Sequence, residues 1–266
     1  MIRPMTKQMG RYWIVTTIQH ISKTMRTHCQ PGLQATLVKK LPSYTLSVSI
    51  DCPPGETVIL TGPSGSGKTT VLRCLAGLEK LDDGQVYFQG ICWNCTKKEV
   101  QASPQVRETG FLSQEYALFP HMTLAENVLF AMRRPENPMD LLDSMGISHL
   151  HDKRPHQVSG GERQRAALCQ TLARRPKLLL LDEPFSALDI ENRHALRQKL
   201  LDVQKQWALP IIQVTHDLVE ALASSARIIS LREGREDSSW LQQQKAFIAS
   251  DIQRLRREFA AEPAAA

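Results

Sequence analysis

The chain has 266 residues, of which 42% are hydrophobic and 23% charged, and its formal net charge is +6. That is enough chain for one large domain or two small ones around a substantial core, in proportions ordinary for a soluble fold. No apolar run approaches the ~18 residues that span a bilayer, so a role at a membrane requires a separate membrane subunit.

The positive charge is concentrated rather than general. The first 50 residues hold seven Lys/Arg and no acid, which leaves 26 basic against 27 acidic residues in the remaining 216 positions. A nearly neutral body with a basic arm does not make a nucleic-acid footprint, and no nucleic-acid partner is expected. The six cysteines are irregularly spaced, which argues against a disulfide framework. Cys92-Trp93-Asn94-Cys95 is a single C-x-x-C without a second pair. A structural zinc site takes about four ligands, so these two read as ordinary reduced cysteines.

In chain order, residues 1–33 form a basic N-terminal extension with poor periodicity, ending in Pro31-Gly32. A flexible arm is the plain reading; a misassigned start and a targeting segment stay open. Residues 37–41 and 45–50 read as a strand pair around Pro42-Ser43, and Pro53-Pro54-Gly55 as a turn. A β-branched strand over 57–61 runs into Gly62-Pro63-Ser64-Gly65-Ser66-Gly67-Lys68-Thr69, with Thr70 beyond it, and a helix over 69–76 follows. Strands are expected at 85–88 and 110–113. Residues 123–175 read as mostly helical, with Thr123 capping a helix over 124–132 and further helices over 139–145 and 161–172. The apolar runs 178–181 and 211–214 have the composition of buried parallel strands. Helices over 192–206 and 218–224 come between and after them, and 228–231 reads as the last strand. The pattern is α/β with a helical insertion between Gln114 and Leu178. Residues 240–260 form an amphipathic helix with Leu241, Ile248, Ile252, Leu255 and Phe259 on one face. Docking on the body is its default role, and pairing with another helix is the alternative. A disordered tail is expected over 260–266.

Three features carry chemistry. The glycine loop fits G-x-x-x-x-G-K-[ST] at every fixed position, and its strand–loop–helix context is the one that makes the motif a phosphate cradle. Glycines 62, 65 and 67 let backbone N–H groups approach phosphate oxygens, and the following helix contributes its positive end. Lys68 then reaches the β- and γ-phosphates, and the Thr69 hydroxyl is placed for Mg²⁺. Second, Leu178-Leu179-Leu180-Leu181-Asp182-Glu183-Pro184 is an apolar strand ending in two acids. Asp182 is expected to hold Mg²⁺, and Glu183 to polarise the attacking water as general base. Third, Ser159-Gly160-Gly161-Glu162-Arg163-Gln164 is a second glycine turn at a helix start. It offers a hydroxyl, bare N–H groups and a helix N-terminus to an anion, although the chain already has one phosphate loop.

These motifs, in this order, resemble the ATPase subunits of ABC transporters over about residues 34–235. The resemblance implies a phosphate-loop ABC cassette: a mostly parallel core sheet, an N-terminal antiparallel β subdomain, and a helical signature subdomain inserted over about 115–177. It leaves 236–266 as a C-terminal helix and tail. It further implies that Gln114 senses the γ-phosphate and contributes to the Mg²⁺ site, with Tyr116-Ala117-Leu118-Phe119-Pro120-His121 facing a membrane subunit. His216, in Val214-Thr215-His216-Asp217, matches the switch histidine. Ser159, Gly160, Gly161 and Glu162 would contact the ATP of a second copy, and Asp189, in Ser186-Ala187-Leu188-Asp189, would couple the two sites. Tyr44 is the candidate to stack on adenine, with cross-strand packing the alternative. The implied partners are a second copy in an ATP-sandwich dimer, two membrane-spanning permease subunits and, through them, a substrate-binding receptor, at the cytoplasmic face of the membrane.

Within the family, Ser43-Tyr44-Thr45-Leu46, the 114–128 segment, and Met145-Gly146-Ile147 leading to Arg154-Pro155-His156-Gln157-Val158 resemble molybdate/tungstate importer ATPases. Sulfate/thiosulfate, iron and polyamine importers are close relatives. Many of these carry a C-terminal regulatory β-domain for which this chain ends too soon. An exporter subunit and a non-transport ABC regulator are the rival readings.

Overall fold

A computed structural model describes residues 31–224 and 226–261. One continuous sheet of eleven strands organises them, in the order β6-β5-β4-β1-β2-β11-β10-β3-β9-β8-β7. Its first half is antiparallel: β1 (Leu33–Lys40), β2 (Thr45–Cys52), β4 (Asp83–Phe88), β5 (Ile91–Cys95) and β6 (Val100–Gln101). Its second half is parallel: β3 (Thr57–Thr61), β7 (Thr109–Leu112), β8 (Leu178–Asp182), β9 (Ile211–Val214) and β10 (Arg227–Arg232). The sequence patterns explain the division. β2 alternates exposed and buried at every position, as a sheet with one wet face requires, whereas all five residues of β8 are buried, as a strand covered on both faces requires.

The last strand is not the one expected over 228–231. A tight turn at Glu233-Gly234 leads into β11 (Arg235–Glu236), which pairs antiparallel with β10 and parallel with β2. Two residues are too few to show a period, yet they join the halves of the sheet. Strand β5 was also not expected. Its Cys-Trp-Asn-Cys run is a sheet segment in which Cys92 and Cys95 are buried, and no group of three or more His/Cys/Asp/Glu among the described residues could hold a metal.

The helices are α1 (Lys68–Ala76), α2 (Leu124–Ala131), α3 (Pro138–Ser144), α4 (Gly160–Ala173), α5 (Ile190–Trp207), α6 (Leu218–Ala223) and α7 (Ser238–Ala261). Helix α1 packs under the sheet junction in a core with Leu37, Leu46, Leu60 and Val214. Helices α2, α3 and α4 form the inserted subdomain between β7 and β8, and a second core runs from Val128, Leu142 and Leu168 to Leu179, Leu181 and Leu200. Thr123 caps α2 through a reciprocal box with Glu126, as its sequence position predicts.

Leu33 is fully buried and opens β1, one residue before the expected start at 34. The structure of residues 1–30, and hence of most of the N-terminal extension, lies outside the described residues. At the other end, β11 carries the sheet to Glu236. Helix α7 docks near its start, where Leu241 is buried, but Ile248 is half-buried and Ile252 is exposed. The side chains of Leu255 and Phe259 lie outside the described set, as does the tail beyond 261.

Candidate active site

The loop between β3 and α1 is shaped by its glycines. Gly62, Gly65 and Gly67 have φ of 141°, 77° and 101°. At Gly62 a Cβ would lie 2.0 Å from the Leu231 carbonyl oxygen, so only glycine allows the loop to leave β3 so close to β10. Lys68 is buried and folds back over this loop, its Nζ donating to the carbonyls of Gly62 (2.9 Å) and Pro63 (2.8 Å). Burial pushes its pKa down, opposed by the charges of Glu183 and Asp182. An ammonium held on neutral carbonyls at the N-terminus of a helix makes a site for a polyanion. Ser66 is buried in the loop, while Pro63, Ser64 and Thr69 are exposed and Thr70 is partly so.

Strand β8 delivers the acidic pair to the same place, because its parallel neighbours β7 and β9 also end there. Asp182 is buried, which raises its pKa, and the Thr69 hydroxyl bonds its carboxylate and partly offsets that rise. Thr69, Asp182 and Gln114 are the oxygen donors that would hold Mg²⁺. A hydroxyl beside a buried carboxylate fits that hard cation, which on binding would neutralise phosphate charge.

Glu183 stands at the centre of the arrangement. Its backbone has φ of +52°, a left-handed conformation that costs a non-glycine residue roughly 1–2 kcal/mol. Its amide donates to the Val214 carbonyl (3.0 Å). Its own carbonyl accepts from the Ser186 hydroxyl (3.1 Å) and from Gln164 Nε2 (3.2 Å). The carboxylate is thereby aimed between two groups predicted from the sequence: Gln114 Nε2 donates to Oε2 at 3.4 Å, and His216 Nδ1 lies 3.1 Å from Oε1. Gln114, Asp182, Glu183 and His216 thus come from the C-terminal ends of three adjacent parallel strands, where open α/β sheets place ligands.

Tyr44 joins the site from the antiparallel half. Its hydroxyl donates to the Gly65 carbonyl, and its ring packs where a Cβ on Gly234 would lie, 2.5 Å from Cδ2. Partial burial raises its pKa. The ring therefore rests on the turn that joins the two halves of the sheet, with its hydroxyl on the phosphate loop.

The second glycine turn is built differently. Ser159 caps α4: its Oγ accepts from the Glu162 amide (3.3 Å) and donates to Glu162 Oε2 (2.9 Å), while its own amide donates to Oε2 (2.8 Å). These bonds hold the Glu162 pKa below the usual carboxylate range. Gly161 packs so tightly on the loop after β8 that a Cβ would lie 2.7 Å from Leu188 Cδ2. Asp189 in that loop caps α5 by accepting from the Asn192 amide (2.9 Å).

Residues to which the sequence assigned no chemical role complete the framework. Gln164 is fully buried on α4 and ties the helical subdomain to the Glu183 turn. The signal available was a polar residue on the buried face of a helix. Arg193 bridges Asp217, next to His216, at 2.6 Å. Arg107 is fully buried, donates to the Cys74 (2.9 Å) and Leu75 (2.7 Å) carbonyls at the end of α1, and has its pKa pushed down to about 10 by burial. Nothing local in the sequence distinguishes Arg107 from a surface arginine.

A strand–glycine loop–helix unit with an acidic pair on a nearby parallel strand defines a phosphate-loop nucleotide-binding protein. Its helical insertion, ending in a serine-glycine turn, narrows that class. Residues 46–186 match the model of the ABC transporter family. The chain is 40% identical over 209 residues to the spermidine/putrescine import ATP-binding protein PotA of Chromobacterium violaceum, spanning 75% of this chain and 56% of that protein. It is 42% identical over 196 residues to the probable sulfate/thiosulfate import ATP-binding protein CysA of Chlorella vulgaris, spanning 71% and 80%. The solved dimeric cassette MJ0796 superposes with a TM-score of 0.65 at 29% identity, over 77% of this chain and 97% of that one. The chain belongs to the ABC transporter family and carries its ATP-binding ABC ATPase cassette, while spanning little more than half the length of several of the relatives it matches.

Proposed function

We propose that this protein is the ATP-hydrolysing subunit of an ABC importer. The observation that carries the reading is the convergence of Gln114 and His216 on the two oxygens of Glu183, beside Lys68 and Asp182. In this reading Lys68 and the loop amides bind the phosphates, and Glu183 takes a proton from the attacking water. Gln114 orients that water, and His216 donates to the γ-phosphate. Ser159, Gly160, Gly161 and Glu162 close over the ATP held by a second copy, with Asp189 linking the two sites. Mg²⁺ and ATP are the ligands, and Tyr44 is read as an aromatic contact of the nucleotide, supported by its hydroxyl bond to the phosphate loop.

Coupling to transport is supported by a surface on the segment that follows Gln114 in sequence. Phe119 and Phe130 pack edge to face at 4.9 Å, and Leu129 and Phe130 are 54% and 64% exposed. An apolar patch of that kind suits docking on a permease subunit at the cytoplasmic face of the membrane. No described helix is long and apolar enough to cross a membrane.

For the cargo we favour an oxyanion. The relatives named above support sulfate or thiosulfate first and polyamines second; molybdate rests on sequence resemblance alone. The test is whole-cell uptake of sulfate, molybdate and spermidine with the intact chain or Glu183→Gln as the sole copy. Loss of sulfate uptake alone supports the favoured cargo. Loss of molybdate or spermidine uptake instead reassigns it, and normal uptake of all three in the variant overturns the importer reading for these cargos.

A further inference from the structure

The two faces of the parallel sheet are filled unequally. On the α1 side, Val58, Leu60, Ile212, Val214 and Ile229 join one continuous apolar core. On the other side, helices α5 and α6 leave a cavity of about 900 Å³ against β3, β9 and the start of β10. That volume is in the range of small-molecule sites, about 300–1,000 Å³.

The lining has two chemistries. Leu201 and Ala226 are its half-buried apolar lining, over the buried Ile59, Ile211 and Leu200. Arg197, Lys205 and Arg227 bring cationic groups and His194 an imidazole, against the acids Glu56 and Glu220. Among the described residues, Arg197, Lys205 and Arg227 make no ion pair. Arg197 is half-buried and bonds only the Glu220 backbone carbonyl, at 3.3 Å. The Glu220 carboxylate is already engaged, accepting from Gln213 Nε2 (2.8 Å) and from the Thr215 hydroxyl (3.4 Å). The charge of Arg197 also acts on the Glu220 carboxylate, and Lys205 and Arg227 are exposed, so the lining carries three cations against two acids, an excess that favours a ligand with an anionic head and an apolar body.

We infer that this cavity binds a small organic anion, its head on Arg197, Arg227 and Lys205 and its body on Leu201 and Ala226. The position links it to the active site. Phe185 and Glu220 line both this cavity and the small cleft beside Glu183 and His216. Thr215, which bonds Glu220, also accepts from the Asp217 amide at 3.1 Å, so the backbone on both sides of His216 is tied to the cavity wall. A ligand that moves Glu220 therefore changes how His216 meets Glu183. This coupling rests on the hydrolytic role proposed for His216; binding to the cavity does not.

The probe is 1-anilinonaphthalene-8-sulfonate, an aryl sulfonate of the required chemistry, titrated into the full chain and followed by fluorescence and calorimetry. One saturable site is expected. Its affinity should fall about tenfold or more in Arg197→Leu/Arg227→Leu, the scale of losing charge-assisted hydrogen bonds, and similarly in Ala226→Trp, which fills the cavity. Circular dichroism melting checks that each variant folds, and either folded variant suffices. Phe130→Ser, on the exposed apolar patch, should leave the affinity unchanged. Binding that survives both cavity variants, or that disappears in Phe130→Ser, overturns the site. The probe should also alter ATP turnover of the wild type and not that of Ala226→Trp, whose basal turnover is kept. Binding that follows the variants without a change in turnover keeps the site and overturns the coupling. Absence of any wild-type turnover counts against the hydrolysis reading and leaves the binding result standing.

Discussion

Two glycine turns open helices in this chain, and they are finished to different degrees. The phosphate loop has its cation, Lys68, and its acids, Asp182 and Glu183, supplied by the same fold. The turn at Ser159–Glu162 has a cation, Arg165, on its own helix but no charged pair brought to it by the sheet. Its hydroxyl is engaged within its own capping box, and its glycine is pressed against the loop after β8. A helix N-terminus with glycines is thus a complete anion site in one place and half of one in the other. What separates them is whether the sheet brings charged groups alongside. The half-finished turn makes chemical sense if another copy brings its ATP.

The contrast can be broken in order of expected effect. If the first site is complete, Glu183→Gln removes the base and lowers ATP turnover by about 10²–10⁴-fold while nucleotide still binds. Steady-state hydrolysis together with nucleotide titration reads both quantities, and normal turnover in this variant would show that Glu183 is not the base. Lys68→Ala should weaken ATP binding by roughly 10–100-fold, the scale of losing charge-assisted hydrogen bonds to phosphate.

The second turn is tested by mixing. Ser159→Phe and Lys68→Ala are each expected to be nearly inactive alone. Mixed, they form dimers in which one phosphate loop meets one intact serine turn, so partial turnover returns. If no activity returns although mixed dimers are detected, the turn does not act across copies.

The smallest effect concerns pH. Glu162 has a folded pKa below its usual 4.5, caused first by the Ser159 bonds. Its contribution is therefore present above about pH 4.5 and lost as pH falls through the lower folded value. Glu162→Gln can keep the capping bonds, so it should change melting at pH 7 by less than ~1 kcal/mol and flatten the decline towards acid pH. A decline as steep as in the wild type would assign the acid sensitivity to other carboxylates.

Much of this was legible in the chain. A run of four leucines followed by Asp182-Glu183 announces a buried parallel strand, and Thr123 with Glu126 announces a helix start, because both signals are local. The glycine loop is legible because phosphate chemistry restricts which residues fit. Strands β5 and β11 were not legible: one is masked by a cysteine pair, and the other is too short to carry a period.

The sequence by itself determined the inventory: which residues can cradle phosphate, carry a proton or cap a helix, and in which order they come. Only the tertiary structure decided how they meet. It set Gln114 and His216 against the two oxygens of Glu183, from strands about a hundred residues apart in sequence. It also fixed that glutamate's left-handed backbone through Val214, Ser186 and Gln164. It buried Arg107 under α1 and left a cavity between α5 and strands β3 and β9. The reason is physical. Local spacing encodes periodicity and turn chemistry, whereas convergence, burial and voids depend on packing between segments that no local pattern specifies.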